Sequence, residues 1–410
     1  MGWWVRLVGV AAVLVLTAGG VARADSAAPS RSFFDRRVDA LTSAQLLTLP
    51  PAQLVDPIRQ RAARTITDVR QGCSFGWGLA QILTLYWLWT SGRAARVRDW
   101  LRRRLRDPCW ERFGFGVFIA LATRLAALVF AFVGYRVGFN VGLTEEPMQL
   151  WLLGYALGAI EIAFFTGLLF VYVLWLVDRT RLWYLVTAAT VFAVAFAAAT
   201  FVPVTLAPLF SPRHPYPVAP AAAPVEVAAA TAGSRTLDAR TEGIGPFARI
   251  VLGDVLIASA TRPEIAFAIA HESAHVRYND VAKLVGMGAL LVVFVSAVGV
   301  FASDRIRFRR DDDALSRLAL VGTMLGLVAL VVFPAYNTYA RLLETRAERA
   351  TRLAAPDVAA GVRYLVRRAD HDMIPLCYRR STNWYFADDV ALGTQIARLR
   401  GTSDPCGVVR

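Results

Sequence analysis

The sequence contains few cysteines, few histidines and almost no lysine. Only four of its 410 residues are Cys, which excludes a small scaffold held together by disulfides. Lys283 is the single lysine, so the formal net charge of +14 comes almost wholly from arginine. There are also only four histidines, and two of them, His271 and His275, stand four positions apart. That pair is the strongest candidate in the sequence for a site that uses histidine side chains.

Apolar residues, in contrast, are in excess. They make up 56% of the chain, with a mean hydropathy of +0.45, against an average share of roughly 45–50%. This excess predicts a membrane protein. The arginines cluster in loops between apolar runs, which favours lipid head groups and control of topology over nucleic-acid binding. We therefore expect the lipid bilayer as a partner and no nucleic acid.

The N-terminus has the features of a secretory signal peptide over residues 1–24. The apolar stretch from Leu7 to Ala18 is short for a membrane span, and the small-x-small triplet Ala22-Arg23-Ala24 follows it. A retained first span is the alternative. Residues 25–74 are polar and rich in arginine, which predicts a soluble helical segment.

Six further apolar runs predict membrane helices, since a span needs about 20 mainly apolar residues. They are Phe75–Thr90, Phe115–Gly134, Leu150–Val177, Leu182–Leu206, Leu284–Phe301 and Leu318–Phe333. The first four would form a membrane region at residues 75–210, and the last two a transmembrane hairpin at residues 284–338. The predicted fold is an all-α polytopic membrane protein with six spans, or seven if the N-terminal segment is retained.

Arginine-rich loops predict the orientation of these spans. The loops at residues 91–112, 178–181 and 303–317 alternate with the other loops, so all three lie on one side of the membrane. The positive-inside rule makes that side cytoplasmic. Residues 211–283 and 339–410 then lie outside the cell membrane, where Cys377 and Cys406 would meet an environment that permits a disulfide.

The segment at residues 211–283 predicts a linker, a strand and a helix. Its start is rich in proline and alanine, which favours an extended connector. A stretch with β-branched residues predicts a short strand near Arg249 to Leu252, and we expect this strand to pair with an extended substrate. Thr261 and Glu264 fit a capping box at the start of the following helix, with Pro263 in its first turn.

That helix carries the sequence His271-Glu272-Ser273-Ala274-His275. Residues i and i+4 project from one helix face, so the two imidazoles can share one tetrahedral metal. Glu272 lies about 100° round the helix, placed to take a proton from metal-bound water. The alternative is a helix with two ordinary histidines and a chance glutamate.

A catalytic zinc needs a third protein ligand. Asp280, five residues past His275, is too near along the same helix to complete the site easily. The transmembrane hairpin returns the chain to the side it left, and the first acidic residue after it is Glu344, followed at i+4 by Glu348. A His-His-Glu site with one open position is therefore possible. The alternative is a solvated helix face paired with neighbouring arginines.

The segment from about Pro203 to Leu353 resembles the type I CAAX prenyl proteases and their bacterial membrane-metallopeptidase relatives. The resemblance is carried by APLF at 207–210, GIGPFARIVLGDVL before the helix, AHESAHVRYND, and NTYARLLETRAERA after FPAY. It implies a zincin-like helical catalytic region with a short β element. It also implies one Zn²⁺ held by His271, His275 and Glu344, with Glu272 as the base.

The same resemblance assigns roles to further residues and shows departures. Glu348 stands where the family has Asp and would orient a ligating histidine, and Asp238-Ala239-Arg240 stands where the family's substrate-binding edge strand has Asn-Ala. A family His-Pro near the C-terminus is missing here, and His371 is the remaining candidate to stabilise the transition state.

Together these features predict a membrane-embedded zinc endopeptidase that hydrolyses peptide bonds of membrane or membrane-proximal proteins. Two alternatives remain open at this point. One is a prenyl-protein (CAAX) protease, and the other is a catalytically degenerate membrane scaffold.

Overall fold

The computed structural model describes residues 33–217, 221–229, 233–306, 314–354 and 357–407. The predicted signal peptide or first span lies outside these residues. Within them the chain is mostly helical, as predicted. The helices, numbered in chain order, are α1 (Phe33–Asp39), α2 (Ser43–Thr48), α3 (Pro51–Leu54), α4 (Pro57–Thr90), α5 (Arg93–Arg104), α6 (Pro108–Asn140), α7 (Met148–Val177), α8 (Trp183–Thr205), α9 (Ala207–Phe210), α10 (Asp254–Ser259), α11 (Arg262–Tyr278), α12 (Asp280–Arg305), α13 (Ala314–Ala354), α14 (Val358–His371), α15 (Arg380–Tyr385) and α16 (Leu392–Arg400).

The predicted short β element is one strand of a four-stranded sheet. The strands are β1 (Arg213–Pro215), β2 (Val225–Ala228), β3 (Ala239–Glu242) and β4 (Arg249–Gly253), in the spatial order β1-β2-β4-β3. β4 pairs parallel with β2 and antiparallel with β3. Ile250, Val251 and Leu252 are fully buried, so β4 is an interior strand and β3 is an edge.

Five of the described helices are long and apolar enough to cross a membrane, namely α6, α7, α8, α12 and α13. They contain five of the six predicted runs. The remaining run, Phe75–Thr90, is the second half of the 34-residue helix α4, which packs against α6 and α13. Asp56 caps this helix and Pro57 occupies its first turn. The helix then continues without a break to Thr90. The predicted boundary between residues 74 and 75 therefore lies inside α4.

The arginine-rich loops lie together at one end of the helix bundle. The guanidinium of Arg112 is 2.9 Å from the carboxylate of Asp178, which joins the first of these loops to the second. Leu101 of α5 packs in one buried cluster with Leu315 at the start of α13. The described parts of the three loops thus share one end, as the alternation of loops and spans predicts.

The opposite end holds the sheet, α11 and α14 around a second buried core. There the fully buried guanidinium of Arg367 donates to Glu264 at 2.7 Å and to Asp35 at 3.1 Å. This fixes the first turn of α11 against α14 and the N-terminal helix α1. Thr261 is the N-cap residue as predicted, but its hydroxyl donates to the carboxylate of Glu264 at 3.1 Å instead of capping the backbone. The predicted capping box is therefore not formed.

Helix α13 is 41 residues long and connects the membrane to this end of the molecule. It continues through Pro334, because a helix within a protein bundle can satisfy the backbone groups that proline leaves free. The predicted boundary after residue 338 consequently lies inside α13. One rigid helix therefore carries both the last span and Glu344.

Candidate metal centre

The His-Glu-x-x-His motif lies in the last turns of α11, which ends at Tyr278 and is followed by its C-cap residue Asn279. Asn279 has φ 52° and ψ 45°, a left-handed conformation that Asn tolerates better than most residues. The chain changes direction there and α12 begins at Asp280. This break decides which groups can reach the two histidines.

Three potential metal ligands converge on one point. Nε2 of His271 lies 3.2 Å from Nε2 of His275. The two carboxylate oxygens of Glu344 lie 3.3 Å from Nε2 of His271 and 3.4 Å from Nε2 of His275. One ligand atom from each residue falls within 4.8 Å of the others. The transmembrane hairpin therefore brings Glu344 to the histidines, as its position in the sequence suggested.

Glu272 is buried beside this cluster and is held by the edge strand. The hydroxyl of Thr241 donates to the carboxylate of Glu272 at 2.9 Å and lies 3.0 Å from the Glu272 backbone carbonyl. Burial raises the pKa of Glu272, and the nearby histidines and the Thr241 hydroxyl oppose the rise. A carboxylate with a raised pKa is better able to accept and return a proton near neutral pH.

Asp280 contacts one of the three candidate ligands and is not part of their cluster. Its carboxylate lies 3.0 Å from Nδ1 of His275, so Nε2 remains directed at Glu344. Arg346 of α13 binds the other Asp280 oxygen, and Lys283 lies 3.8 Å away. Burial alone would lower the pKa of His275, but the hydrogen bonds with Asp280 and Glu344 outweigh it and raise the pKa to about 10. An imidazole backed by a carboxylate is a common arrangement for a metal ligand.

Glu348, which we expected to orient a ligating histidine, makes a different contact. It lies one turn beyond Glu344 on α13, and its Oε2 accepts a hydrogen bond from Arg398 at 2.7 Å. Its other oxygen is buried and has no hydrogen-bond partner within the described residues. Asp280 orients His275, whereas Glu348 ties the ligand-bearing helix α13 to α16. The longer Glu side chain reaches an arginine that lies across the cavity.

The predicted substrate-binding residues lie at the edge strand. Ala239 and Arg240 of β3, together with Thr241, line the cavity in front of the histidines. Asp238 precedes the strand and pairs with Arg240 instead of lining the cavity. The prediction that the strand at Arg249–Leu252 pairs with substrate is wrong, because β4 already has β2 and β3 on its two sides.

The cavity has a volume of about 940 Å³, and its wall opposite the motif comes from α14 and α16. Tyr364 and Arg368 of α14 and Asp389 before α16 all line it. Burial raises the pKa of Tyr364 to about 12 and that of Asp389 to about 6. These residues were not predicted from the sequence. The helical spacing of the apolar residues in α14 does indicate which face of the helix is buried: Val362, Leu365, Val366 and Ala369. Those positions bury one face and leave Tyr364 and Arg368 beside it.

His371 stands apart from this wall. It lies at the end of α14 with Nδ1 3.1 Å from Asp372, and it does not line the cavity. It is therefore poorly placed to replace the missing C-terminal histidine of the family. Tyr364 and Arg368 are the cavity residues that could donate a hydrogen bond from that direction.

Cys377 and Cys406 form a disulfide next to α16. A Cβ added at Gly393 would lie 2.9 Å from Sγ of Cys406 and 3.3 Å from Sγ of Cys377, so the bridge packs directly on the first turn of α16. The same helix carries Gln395 and Arg398 into the cavity wall. The bridge thus ties the C-terminal segment to the site.

Comparison with known proteins shows that part of the chain is similar to peptidases. Residues 218–377 match the model of peptidase family M48. This segment of the chain is therefore similar to the peptidase family M48 domain. The matched segment contains the motif, the transmembrane hairpin and Glu344, and the predicted resemblance is confirmed.

The fold is shared with a solved membrane protein. The crystal structure of S. mikatae Ste24p matches with a TM-score of 0.68 at 15% sequence identity, covering 94% of this chain and 98% of that chain. At this identity the likeness establishes the fold alone, and it includes the helices that precede the M48 match. The curated proteins contain no match.

The match to family M48 and the spanning helices together support a membrane metallopeptidase, and the fold is similar to that of Ste24p. His271, His275 and Glu344 are the candidate metal ligands of this chain. Its substrates are accordingly proteins or peptides.

Proposed function

We propose that this protein is a zinc-dependent endopeptidase that cleaves membrane or membrane-proximal proteins. One Zn²⁺ would be held by His271, His275 and Glu344. The two imidazole nitrogens lie 3.2 Å apart, and each lies 3.3 or 3.4 Å from a different oxygen of Glu344. This convergence of three donors, with one ligand atom of each within 4.8 Å of the others, is the observation that carries the proposal. Two imidazoles and a carboxylate leave the fourth position free, as catalytic zinc sites require.

When bound, the zinc ion would polarise the scissile carbonyl and make water a stronger acid. The chain's own residues do the rest. Glu272 accepts the proton of the attacking water and later gives it to the leaving amine, so one carboxylate serves as base and then as acid. The Thr241 hydrogen bond fixes one oxygen of Glu272 and leaves the other for the proton. Burial beside the histidines limits competing bulk water.

The edge strand β3 supplies the substrate-binding surface in this proposal. Its outer edge has no strand neighbour among the described residues, and its inner edge is paired with β4. An extended peptide can add to such an edge through backbone hydrogen bonds. Because Thr241 bonds Glu272, a peptide paired with Ala239 and Arg240 would run directly past the base.

The site is proposed to face the outside of the cell membrane. It lies at the end of the molecule opposite the arginine-rich loops, which the positive-inside rule assigns to the cytoplasm. The Cys377–Cys406 disulfide lies at the same end as the site, and disulfides persist in oxidising compartments. Both observations support the same orientation.

A prenyl-protein protease is the second candidate. The order of motifs in this chain resembles that of the type I CAAX prenyl proteases, and the structural match to Ste24p covers 94% of the chain. The outside orientation and the Asp238-Ala239-Arg240 edge favour the general endopeptidase. Cleavage of a prenylated CAAX peptide together with failure on unmodified peptides would favour this second candidate.

The test is to compare wild type with Glu272→Gln for bound zinc and for cleavage of casein and peptides. The variant should keep stoichiometric zinc and lose roughly 10²–10⁴-fold in rate, because only the base is removed. Cleavage within about tenfold of wild type would overturn the catalytic role of Glu272. A wild-type protein that binds no zinc would favour the degenerate scaffold.

A further inference from the structure

A second cavity lies far from the metal centre, at the arginine-rich end of the bundle. It has a volume of about 780 Å³ and is bounded by α4, α5 and α6. The peptidase chemistry proposed above does not involve it. We call it the α4–α6 groove.

The walls of the groove are apolar and open sideways. Leu83 and Trp87 of α4 face Phe118 and Leu125 of α6 across it. Leu83 is 55% exposed and Leu125 is 72% exposed, so the groove opens on the surface of the spanning helices instead of into the protein core. Thr84 is the one hydroxyl in its wall, and that hydroxyl is bonded to the backbone carbonyl of Ala80. Its interior therefore offers a surface suited to hydrocarbon.

The rim of the groove is positive. Arg93 and Arg96 of α5 line it at i and i+3, on one face of that helix. The guanidinium of Arg93 lies 4.0 Å from the centroid of the Trp87 ring, which holds it over the mouth of the groove. Within the described part of the chain, no carboxylate lies within ion-pair distance of either arginine.

Two other arginines at this end of the bundle are paired with carboxylates of the protein. Arg102 pairs with Glu111 at 3.0 Å, and Arg112 pairs with Asp178 at 2.9 Å. Arg93 and Arg96 have no such partner among the described residues, and unlike the exposed Arg103 and Arg104 they line an apolar groove. A ligand that matches this arrangement needs a negatively charged head and an apolar tail.

We propose that the α4–α6 groove binds an anionic phospholipid. The phosphate lies at Arg93 and Arg96, and one acyl chain lies between Leu83 and Trp87 on one side and Phe118 and Leu125 on the other. The wall from Phe118 to Leu125 descends about 10 Å along α6, at about 1.5 Å per residue, which accommodates a substantial part of a chain. Basic pockets between membrane helices are suited to anionic lipid head groups, and Trp87 marks the interfacial level.

The experiment uses the full-length protein in nanodiscs that contain phosphatidylcholine with a minor share of phosphatidylglycerol. Native mass spectrometry of the protein released from the discs counts the retained phosphatidylglycerol. Arg93→Gln with Arg96→Gln removes the rim charges, and Ala126→Phe fills the groove while keeping both charges. The matched control, Arg103→Gln with Arg104→Gln, removes two exposed charges from the same helix outside the groove.

Wild type and the control should retain the anionic lipid, and the two groove variants should each lose about tenfold or more of it. Equal loss in the control would mean diffuse attraction to a positive surface and would overturn the proposal. Unchanged retention in Ala126→Phe would exclude a chain in the groove and also overturn it. If glycerol phosphate displaces phosphatidylglycerol at equal concentration, the arginines bind phosphate without help from an acyl chain, and the lipid proposal is overturned. Bound zinc, measured in every variant, confirms that the fold is intact.

Discussion

Nδ1 of His275 lies 3.0 Å from a carboxylate oxygen of Asp280, although the two residues belong to different helices. The left-handed residue Asn279 between them turns the chain so that Asp280 points back at the imidazole. The hydrogen bond leaves Nε2 free for a metal and fixes the plane of the ring. Arg346 holds the second oxygen of Asp280, which joins the support of His275 to the helix that carries Glu344.

Replacing Asp280 with Asn should weaken zinc binding by about 10–100-fold, because the charge that makes His275 a stronger ligand is lost while the shape is kept. Competition with a chromophoric chelator measures the dissociation constant. Glu145→Gln is the control, since that carboxylate is 61% exposed and pairs with Arg235 away from the site. If Asp280→Asn binds zinc as tightly as wild type does, the contact has no role in the metal site.

Glu344→Ala should lose zinc as completely as His271→Ala does. Glu344 brings both carboxylate oxygens to within 3.4 Å of the histidine nitrogens, so its removal leaves two ligands. Metal analysis after dialysis measures the loss. Stoichiometric zinc together with cleavage in Glu344→Ala would show that another carboxylate completes the site, with Asp280 and Glu348 as the first candidates.

The sequence predicted that His271, His275 and Glu344 converge, because the relevant geometry is local or topological. The spacing of His271 and His275 fixes their common helix face, and an antiparallel hairpin must return the chain to the same side, which brings Glu344 close. The role of Asp280 could not be predicted in this way. It was expected on a continuous helix with His275, because apolar residues resume directly after Asp280. Asn279 is a residue type that often ends helices, but an Asn alone does not show in which direction the next helix starts.

The strand that could bind substrate was likewise not predictable from the local sequence. A strand at Arg249–Leu252 was predicted from its β-branched residues, and a strand forms there. Whether a strand is interior or at an edge depends on its neighbours, and β2 is contributed by residues within the segment that was predicted as a linker. The pairing of Glu348 with Arg398 likewise joins residues 50 positions apart, across two helices with no pattern in common.

The pair formed by Glu348 and Arg398 should act as a unit. Glu348→Ala should reduce zinc affinity or cleavage rate by about 10–100-fold without abolishing either, because it loosens α13 from α16 but removes no ligand. Arg398→Ala should cost a similar amount, and the double variant should cost little more than either single variant. Additive losses in this cycle would show that the two side chains act independently.

The conservative variant Glu348→Asp separates two explanations of that effect. The resemblance to the CAAX protease family, which has Asp here, predicts that Glu348→Asp stays active. An inactive Glu348→Asp with unchanged zinc content would instead show that the site depends on the longer reach to Arg398.

The state of the disulfide should show whether the end of the molecule that holds the candidate metal site lies in an oxidising compartment. Cys377 and Cys406 are bridged at the same end of the molecule as the site, whereas Cys73 and Cys109 are free thiols. Labelling of the denatured protein should therefore modify two cysteines before reduction and four after it. Cys377→Ser with Cys406→Ser removes the bridge, and labelling of that variant should be the same before and after reduction. Four reactive thiols in freshly prepared wild type would contradict the oxidising location.

Reporter fusions test the orientation directly. Three arginine-bearing loops meet at one end of the bundle and the His271, His275 and Glu344 cluster lies at the other, so the C-terminus should be outside. An export-dependent phosphatase fused after Arg410 should be active, and a fluorescent protein that matures only in the cytoplasm should be dark there. The same reporters inserted between Arg106 and Asp107, in the first arginine-rich loop, should give the opposite pattern. If the C-terminal fusion fluoresces instead, the zinc face lies in the cytosol, and prenylated or misfolded proteins on that side become the better substrates to test.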